Sequence, residues 1–440
     1  MKKKIVIVLN IAGLSPKLLE QTRLLPNITS LIKTGTYRKM APTFPAVTSS
    51  VQASLLTGKP PADHGIVGNG WFNRELTRPE FWAQENSLVR GPRIWDIMKE
   101  RNPSSKTAVL FWQNSKYINA DIVITPSPIH TDKGMIEWCY SQPSGYYEKI
   151  SKDIGMFSLK DYWGPLAGAK SSQWIAEAAL RTLKQESPDM LLAYFPHLDY
   201  VSQRQSPDGP EVEKELGLID QIVGKFVAFK EEYGTNDVVI FIISEYGLIP
   251  VKGAVFPNRA LRQAGLLKVR QIADKEYIDF EASAAFAVVD HQVAHIYCKK
   301  NAIEEATKIL HNTDGIDQVI NRPAQEELQI HHQRSGELIA LANPDRWFAY
   351  YYWNDNNLAP FYARTVDIHN KPGYDPCELF IDMKTMSIPL TPELVQGSHG
   401  LPAKTDSQLA VMLCSDKSLN DYAPEPFSAT QFLGMLYRVI

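Results

Sequence analysis

The sequence predicts an α/β fold, a doubly wound and mostly parallel sheet with a smaller inserted α+β lobe. Helical and strand patterns alternate through roughly the first 250 residues, which is typical of a parallel sheet with helices on both faces. From about residue 255 the pattern changes to shorter alternating strands, and the last segment returns to the first pattern. We therefore expect residues 1–255 and 385–440 to form the core and residues 256–384 to form a cap lobe.

Each predicted element rests on a local pattern. Apolar runs of about four to eight residues bounded by turn residues predict strands, and apolar side chains with a period of about 3.6 residues predict helices. The apolar run at residues 5–9 is short for a secretory signal and lacks a small-residue cleavage site, so we assign it to the first buried strand. The predicted core strands are 5–9, 107–112, 190–195, 237–244 and 409–414, the core helices are 49–56, 93–100, 171–184, 212–232 and 429–439, and the lobe has strands 285–290, 294–298 and 338–342 with helix 302–310.

The composition bounds the class of protein. A chain of 440 residues with 44% apolar residues is long enough for a large α/β domain with an insertion. Its net charge of −3 provides no overall basic field, so we expect neither a nucleic-acid polymer nor a membrane as a partner. No stretch approaches the roughly 20 apolar residues of a membrane span. The four scattered cysteines form no C-x-x-C pair, which favours reduced thiols and a cytoplasmic location.

Polar residues directly follow three of the predicted core strands. Asn10 comes after the first strand, Asp199 follows the third, and Glu245 and Tyr246 follow the fourth. In doubly wound sheets, ligands bind at the carboxyl ends of the strands. We therefore expect these side chains to meet at one edge of the sheet.

A hydroxyl residue opens the first predicted helix. Thr48 follows an extended Pro-Thr-Phe-Pro stretch and precedes an apolar-periodic run, so we expect it at the N-cap position. Free backbone N–H groups and the positive end of the helix dipole would then lie beside its hydroxyl, in a place suited to a phosphate. Taken alone, Thr48 is better explained as a plain helix cap.

The residues after Thr48 follow a known pattern. Three motifs stand 9, 16 and 21 residues further on, namely Thr57-Gly58, His64-Gly65-Ile66 and Asn69. In this spacing the segment resembles the nucleotide pyrophosphatase/phosphodiesterase family of the alkaline phosphatase superfamily. The resemblance implies an alkaline phosphatase-like core, Thr48 as the nucleophile and Asn69 as a phosphate-binding residue. Thr43 is the alternative nucleophile, but aligning it breaks every later spacing.

The same resemblance implies six protein ligands for two zinc ions. They fall on Asn10, Asp199, Gln203, Glu245, Tyr246 and His399. Only Asp199 and His399 keep the residue types of the family. The oxygen donors at the other four positions suit magnesium or manganese, whereas zinc prefers nitrogen and sulfur ligands. We therefore expect one hard divalent ion or none, and Glu245 is equally well explained as an ordinary strand exit.

Two further groups of polar residues are less distinctive. Asp367, His369 and Lys371 lie in one loop rich in turn residues, where they either line the substrate mouth or are simply solvated. Asp290-His291 and His295 fall in a predicted strand, and we interpret these histidines as core or surface residues.

These observations together predict a metal-assisted phosphohydrolase. It would cleave phosphodiester or pyrophosphate bonds of a small phosphorylated substrate through a threonine nucleophile. Its divalent ion is zinc by resemblance, and manganese or magnesium by the chemistry of the ligands. Two alternatives stay open: a catalytically silent protein that binds a phosphorylated ligand, and a phosphonate hydrolase or phosphomutase on the same core.

Overall fold

The computed structural model describes residues 4–132, 134–424 and 426–440. Strands and α-helices are numbered along the chain. The strands are β1 (Ile5–Ile11), β2 (Thr36–Ala41), β3 (Gly70–Asn73), β4 (Arg78–Phe81), β5 (Thr107–Leu110), β6 (Ile122–Pro126), β7 (Ile129–Thr131), β8 (Gly134–Ile136), β9 (Cys139–Gln142), β10 (Met190–Phe195), β11 (Val238–Ile243), β12 (Ile249–Pro250), β13 (Gly253–Val255), β14 (Val269–Ile272), β15 (Lys275–Ile278), β16 (Ala285–Asp290), β17 (Val293–Cys298), β18 (Ile316–Ile320), β19 (Leu338–Ala342), β20 (Arg346–Phe348), β21 (Gly397–Ser398), β22 (Ala410–Cys414) and β23 (Phe427–Ser428). The helices are α1 (Pro16–Leu19), α2 (Pro26–Thr34), α3 (Thr48–Thr57), α4 (Pro61–His64), α5 (Ile94–Arg101), α6 (Tyr146–Ile154), α7 (Leu159–Tyr162), α8 (Ala169–Glu186), α9 (His197–Gln205), α10 (Pro210–Tyr233), α11 (Pro257–Gln263), α12 (Ile303–His311), α13 (Arg322–Glu327) and α14 (Phe432–Tyr437).

Within the described residues, the largest sheet has nine strands in the order β23-β2-β22-β11-β1-β10-β5-β6-β9. Strands β11, β1, β10, β5 and β6 run parallel to one another. Strand β22 is antiparallel to β11, and β9 is antiparallel to β6. The sheet is therefore mostly parallel, and the predicted core strands coincide with β1, β5, β10, β11 and β22.

Strand β1 shows why helices cover both faces of this sheet. Ile5, Ile7 and Leu9 pack in one buried cluster with side chains of α2, α8 and α10. Val6 and Val8 pack in a second cluster with side chains of α3, α5 and α14. Because successive side chains of a strand point to opposite faces, a continuous apolar strand needs a helix layer on each side. The predicted doubly wound class is confirmed.

A second sheet, antiparallel in the order β16-β17-β19-β18, lies in the later part of the chain. It has its own apolar cluster, which includes Phe286, Ile296 and Trp347. The lobe boundaries at residues 256 and 384 stay a prediction, since β20 of this region pairs with β13 just before it. The β16–β17 hairpin closes through His291 and Gln292, and His291 has a left-handed φ of 58°.

Candidate active site

Three strand ends meet at one edge of the central sheet. Asn10, near the end of β1, lies in register with Tyr194 of β10 and Ile243 of β11. Asp199 lies in α9, just after β10, and Glu245 comes shortly after β11. The Asn10 Nδ2 group donates a hydrogen bond of 2.9 Å to Glu245 Oε1. The sheet thus carries these polar groups to the same edge, as the rule for parallel strands predicts.

Glu245 has a second amide partner on helix α3. Gln52 Nε2 donates to the same Oε1 atom at 2.7 Å, while Gln52 Oε1 accepts the backbone N–H of Gln113 at 2.8 Å. Burial raises the pKa of Glu245 to about 8, although the two amide bonds act in the opposite direction. A carboxyl group in this environment keeps its proton at neutral pH.

Thr48 is the first residue of α3, and Val47 is the N-cap. The predicted N-cap at Thr48 is therefore wrong by one position, because Val47 holds the extended backbone of a cap, with φ −130° and ψ 154°. The Thr48 and Tyr246 hydroxyls are joined by a hydrogen bond of 2.9 Å. The candidate nucleophile thus lies beside a phenol at the edge where the strands end.

Asn69 supplies the side-chain cap that Val47 lacks. Its Oδ1 accepts the backbone N–H of Ser49 at 2.9 Å. Its own backbone N and its Nδ2 donate to Asp290 at 2.7 and 3.1 Å. The Ser49 N–H, which the sequence-based prediction leaves free for a phosphate, is therefore used by Asn69. The Asn69 side chain still lies at the start of α3, next to Thr48.

Asp199 and His399 face each other close to Tyr246. Gln203 Nε2 donates to Asp199 Oδ2 at 2.6 Å, and the Tyr374 hydroxyl donates to Gln203 Oε1 at 2.9 Å. His399 Nδ1 lies 2.7 Å from the carbonyl oxygen of Ala46. Because a carbonyl only accepts, Nδ1 carries the proton and Nε2 presents a lone pair. That Nε2 atom is 3.6 Å from Asp199 Oδ1.

Four rings form a continuous stack at this place. The centroids of Tyr246 and His399 are 3.6 Å apart, those of His399 and His291 are 3.8 Å apart, and those of His291 and Tyr374 are 3.8 Å apart. His291 Nδ1 donates to Asp290 Oδ1 at 2.8 Å. His291 and His295 are both buried, as the interpretation of core histidines expects, and the β16–β17 turn places His291 within this stack.

Burial dominates the electrostatics of the site. It raises the pKa of Asp199 to about 7 and that of Asp290 to about 6. It also lowers the pKa of His291 to about 3 and that of His399 well below its ordinary value. The two imidazoles are therefore neutral at physiological pH. A neutral imidazole with a free lone pair is the form that binds a metal ion.

Unpaired polar atoms show whether metal ions fit this site. Asp199 Oδ1 and His399 Nε2 are buried and have no hydrogen-bond partner among the described residues. His399 Nε2 and the ionised form of Asp199 both accept, so these two atoms are candidate ligands of a divalent ion. The backbone bond at His399 Nδ1 is typical of a metal-binding histidine. Within the described residues, no cluster of three or more His, Cys, Asp or Glu side chains is arranged to hold an ion.

The side chains expected at a second ion position are hydrogen-bonded to their neighbours. The Tyr246 hydroxyl is bonded to Thr48, and the amides of Asn10 and Gln52 are bonded to Glu245. Hydrogen bonds between neutral groups and Glu245 or Thr48 thus engage the side chains that a second ion would bind. Asn10 Oδ1 and Glu245 Oε2 are the remaining unpaired atoms, and a proton on Glu245 makes its Oε2 a donor. The expectation of at most one ion stays a prediction.

The loop between β20 and β21 reaches the site through Tyr374 and not through the predicted residues. Lys371 is buried, and its Nζ pairs with Asp375 at 2.7 Å. Asp367 accepts backbone N–H bonds from its own turn, and His369 is exposed. Substrate binding by Asp367, His369 and Lys371 therefore stays a prediction that no observed contact supports.

Four side chains of the site are missing from the sequence-based prediction of the site: Gln52, Asp290, His291 and Tyr374. Gln52 lies one helical turn after Thr48 on α3, and this spacing indicates that the two side chains share a face of the helix. Asp290 and Tyr374 are far along the chain from the other site residues. Only the packing of the second sheet and its loops against the core brings them to the site.

The fold and the site define a class of protein. A mostly parallel sheet with carboxyl groups at its strand ends, beside a helix that begins at Thr48 and is capped by Asn69, is suited to an enzyme that acts on a phosphorylated ligand. The sequence profile described as type I phosphodiesterase / nucleotide pyrophosphatase matches residues 6–375. The chain therefore belongs to this family. The predicted phosphodiesterase or pyrophosphatase class is confirmed at that level.

Relatives with curated descriptions are distant in sequence. An uncharacterized pyrophosphatase/phosphodiesterase of Schizosaccharomyces pombe is 24% identical over 426 residues, which cover 94% of this chain and 72% of that protein. An ectonucleotide pyrophosphatase/phosphodiesterase of Caenorhabditis elegans is 21% identical over 83% of this chain and 42% of its own length. Human ectonucleotide pyrophosphatase/phosphodiesterase family member 1 is 25% identical, but the match covers 24% of its length. The chain thus spans less than half of these two larger relatives.

Solved structures share the fold. Phosphonoacetate hydrolase from Sinorhizobium meliloti 1021, in complex with phosphonoacetate, superposes with a TM-score of 0.65 at 16% identity and covers 100% of this chain and 96% of that one. Murine ectonucleotide pyrophosphatase / phosphodiesterase 5, in an inactive threonine-to-alanine form in complex with AMP, gives a TM-score of 0.61 at 14% identity and covers 100% and 95%. At these identities the likeness concerns the fold.

Two further observations concern the environment of the protein. Among the described residues we find no helix with the length and apolar character that crossing a bilayer requires. The thiols of Cys139, Cys298, Cys377 and Cys414 are free.

Proposed function

We propose that the chain hydrolyses a phosphodiester or pyrophosphate bond of a small phosphorylated substrate, with Thr48 as the nucleophile. The observation that carries this proposal is the position of the Thr48 hydroxyl, at the start of α3 and 2.9 Å from Tyr246, among the side chains of three strand ends. Attack by Thr48 Oγ1 forms a bond to phosphorus and breaks the bond to the leaving group. Water then cleaves the covalent threonine intermediate.

Tyr246 and Asn69, the neighbours of Thr48, orient the nucleophile and the phosphoryl group. Burial raises the pKa of Tyr246 well above its ordinary value, so its hydroxyl keeps its proton and orients Thr48 without acting as a base. The Asn69 amide has two N–H bonds, of which one is donated to Asp290. The other is available to a phosphoryl oxygen beside Thr48, where it stabilises developing negative charge.

Asp199 and His399 are the residues that would hold a divalent ion. Such an ion would supply positive charge to the phosphoryl oxygens and lower the pKa of the attacking hydroxyl. The unpaired Asp199 Oδ1 and His399 Nε2 atoms, 3.6 Å apart, support this assignment. With one imidazole among oxygen donors, we propose that manganese or magnesium serves at least as well as zinc.

The nature of the substrate is supported by the structures of similar fold. Their ligands, AMP and phosphonoacetate, are small and carry a phosphoryl or phosphonyl group. The murine form with alanine in place of threonine is described as inactive, which supports a role for Thr48. We propose that residues 256–384 form the lobe that selects the leaving group. A cytoplasmic location, as the sequence predicts, is supported by the four free thiols.

The test is turnover of a simple phosphodiester, bis(p-nitrophenyl) phosphate, across a panel of divalent metals. Thr48→Ala is expected to lose turnover by several orders of magnitude. Mass spectrometry of the wild-type protein quenched during turnover is expected to find a peptide that contains Thr48 and carries a p-nitrophenyl phosphoryl group.

Thr43→Ala is the matched control, because Thr43 is the alternative nucleophile and its hydroxyl is bonded to Ser54 at 3.0 Å. We expect it to keep its activity. Full turnover by Thr48→Ala would refute the assignment of the nucleophile.

A second candidate function is silent binding of a phosphorylated ligand. The burial of Thr48 and the mutual hydrogen bonds of Asn10 with Glu245 and of Gln203 with Asp199 favour it. Two results together would support this candidate: stoichiometric binding of AMP, and the absence of any cleavage of AMP or of its diesters with every metal tested.

A further inference from the structure

The tip of the β16–β17 hairpin reaches into the candidate active site. Its last strand residue, Asp290, is 3% exposed, and the following turn residue, His291, is also buried. The Gln292 backbone N–H donates to the carbonyl oxygen of His399 at 3.0 Å. The second sheet therefore contacts the phosphate side of the site through one charged hairpin tip.

Local sequence preference does not explain the shape of this tip. A two-residue hairpin turn with a positive φ at its first position normally has glycine there. His291 takes that conformation instead, with φ 58°. Its Nδ1 donates to Asp290 Oδ1 at 2.8 Å, so the strained residue holds the carboxylate in place.

The Asp290 carboxylate in turn fixes Asn69. Oδ2 accepts the Asn69 backbone N–H at 2.7 Å, and Oδ1 accepts the side-chain Nδ2 at 3.1 Å. On its other side Asn69 Oδ1 accepts the Ser49 N–H at 2.9 Å. The amide is thus held at both ends and cannot flip, because a flip would set N–H against N–H and oxygen against oxygen.

We propose that Asp290 is the positioning residue of the phosphate site, and that it acts through Asn69. It leaves a single Asn69 N–H, in one orientation, for a phosphoryl oxygen next to Thr48. This inference rests on the proposed function, since it assumes that Asn69 binds phosphate. It gives the second sheet a direct part in phosphate binding, beyond the choice of leaving group.

The experiment measures the Kd of inorganic phosphate by calorimetry for the wild type and the variants Asp290→Asn, Asn69→Ala and the double variant. In Asp290→Asn one oxygen becomes an NH₂ group that faces an N–H donor of Asn69, so the hold on the amide is lost. At metal sites, loss of a group that orients a ligating side chain typically costs about 10- to 100-fold in affinity, and we expect an effect of the same order at this phosphate site. We expect at least a tenfold higher Kd for each single variant and no further rise in the double variant.

The chain offers a matched control in Asp220. This buried carboxylate accepts the backbone N–H and the Nδ2 group of Asn27 at 3.2 and 2.7 Å, and the N–H of Ile28 at 2.9 Å. It makes the same kind of contact between α10 and α2. Asp220→Asn should lower Tm like Asp290→Asn and leave the Kd for phosphate unchanged, which separates positioning from general destabilisation.

The outcomes distinguish the two proposals. Wild-type protein that binds phosphate and hydrolyses diesters, with an unchanged Kd in folded Asp290→Asn, overturns the role of Asp290 alone. If the rises in Kd of the two single variants multiply in the double variant, Asp290 does not act through Asn69. Wild-type protein that binds no phosphate and cleaves no diester overturns the proposed function and this inference with it. If Asp290→Asn does not fold, Asp290→Glu, which keeps the charge and displaces the carboxylate, is expected to show the same rise in Kd.

Discussion

Glu245→Gln is expected to stabilise the protein at and above neutral pH. In the folded protein burial raises the pKa of Glu245 to about 8 from an ordinary value of 4.5. A carboxyl group with a raised folded pKa contributes stability that is fully present below its unfolded pKa and is lost as the pH rises through the folded value. Glutamine does not ionise. Its oxygen can accept the bonds from Asn10 and Gln52, and its NH₂ group can donate to the unpaired Asn10 Oδ1.

The magnitude follows from the gap between the two pKa values. Between pH 4.5 and pH 7 the unfolded chain releases the proton of Glu245, whereas the folded protein keeps it. Over these roughly 2.5 pH units the free energy of unfolding falls by about 3 kcal/mol. In a chain of 440 residues, a change of about 3 kcal/mol moves Tm by roughly 3 °C. The advantage of the variant should therefore be small near pH 5 and grow until about pH 8.

The assay is calorimetry of both proteins between pH 5 and pH 9 in the presence of a chelator. Glu186→Gln is the control, because two lysines lower the pKa of Glu186 and its contribution is lost only on acidification. Its Tm difference should stay constant over this range. A Tm difference for Glu245→Gln that is independent of pH, or a lower Tm than the wild type at pH 8, would refute the description of Glu245 as a buried neutral acid.

Three further predictions address the ion and the nucleophile. Gln203→His places an imidazole beside Asp199 and should lower the Kd for zinc by about tenfold or more. Chelator competition measures this Kd, and an unchanged value would mean that position 203 does not face the ion. Tyr246→Phe removes the hydroxyl bonded to Thr48 and should lower kcat about tenfold with KM unchanged, whereas a change in KM alone would contradict an orienting role. Removal of metal by a chelator should stop turnover, and manganese or magnesium should restore it at least as well as zinc. Recovery of turnover with zinc alone would contradict a site dominated by oxygen ligands.

The sequence predicts the core of the fold because its signals are local. The apolar strand at residues 238–243 and the periodic helix at residues 210–233 are recognisable from their own residues, and their predicted bounds agree with β11 and α10 to within about two residues. The strand-end rule likewise places Asn10 beside Glu245, since parallel strands in register carry their ends to one edge. The error at Thr48 is one of capping. The extended Val47 takes the cap position, while the side chain of Asn69 accepts the hydrogen bond of the Ser49 N–H, 20 residues away in sequence.

The residues that the sequence does not reveal are those whose partners are distant in the chain. Asp290 is the last residue of a strand whose other five residues are apolar, and burial in a lobe core is enough to explain such a run. Its partner Asn69 lies 221 residues earlier, so no local period relates the two. The strained conformation of His291 is also invisible in sequence, because histidine is not the residue that a two-residue turn predicts. Where a residue in a turn contradicts the local preference and is buried with a carboxylate, the explanation lies in what it contacts, and here those contacts end at the amide beside Thr48.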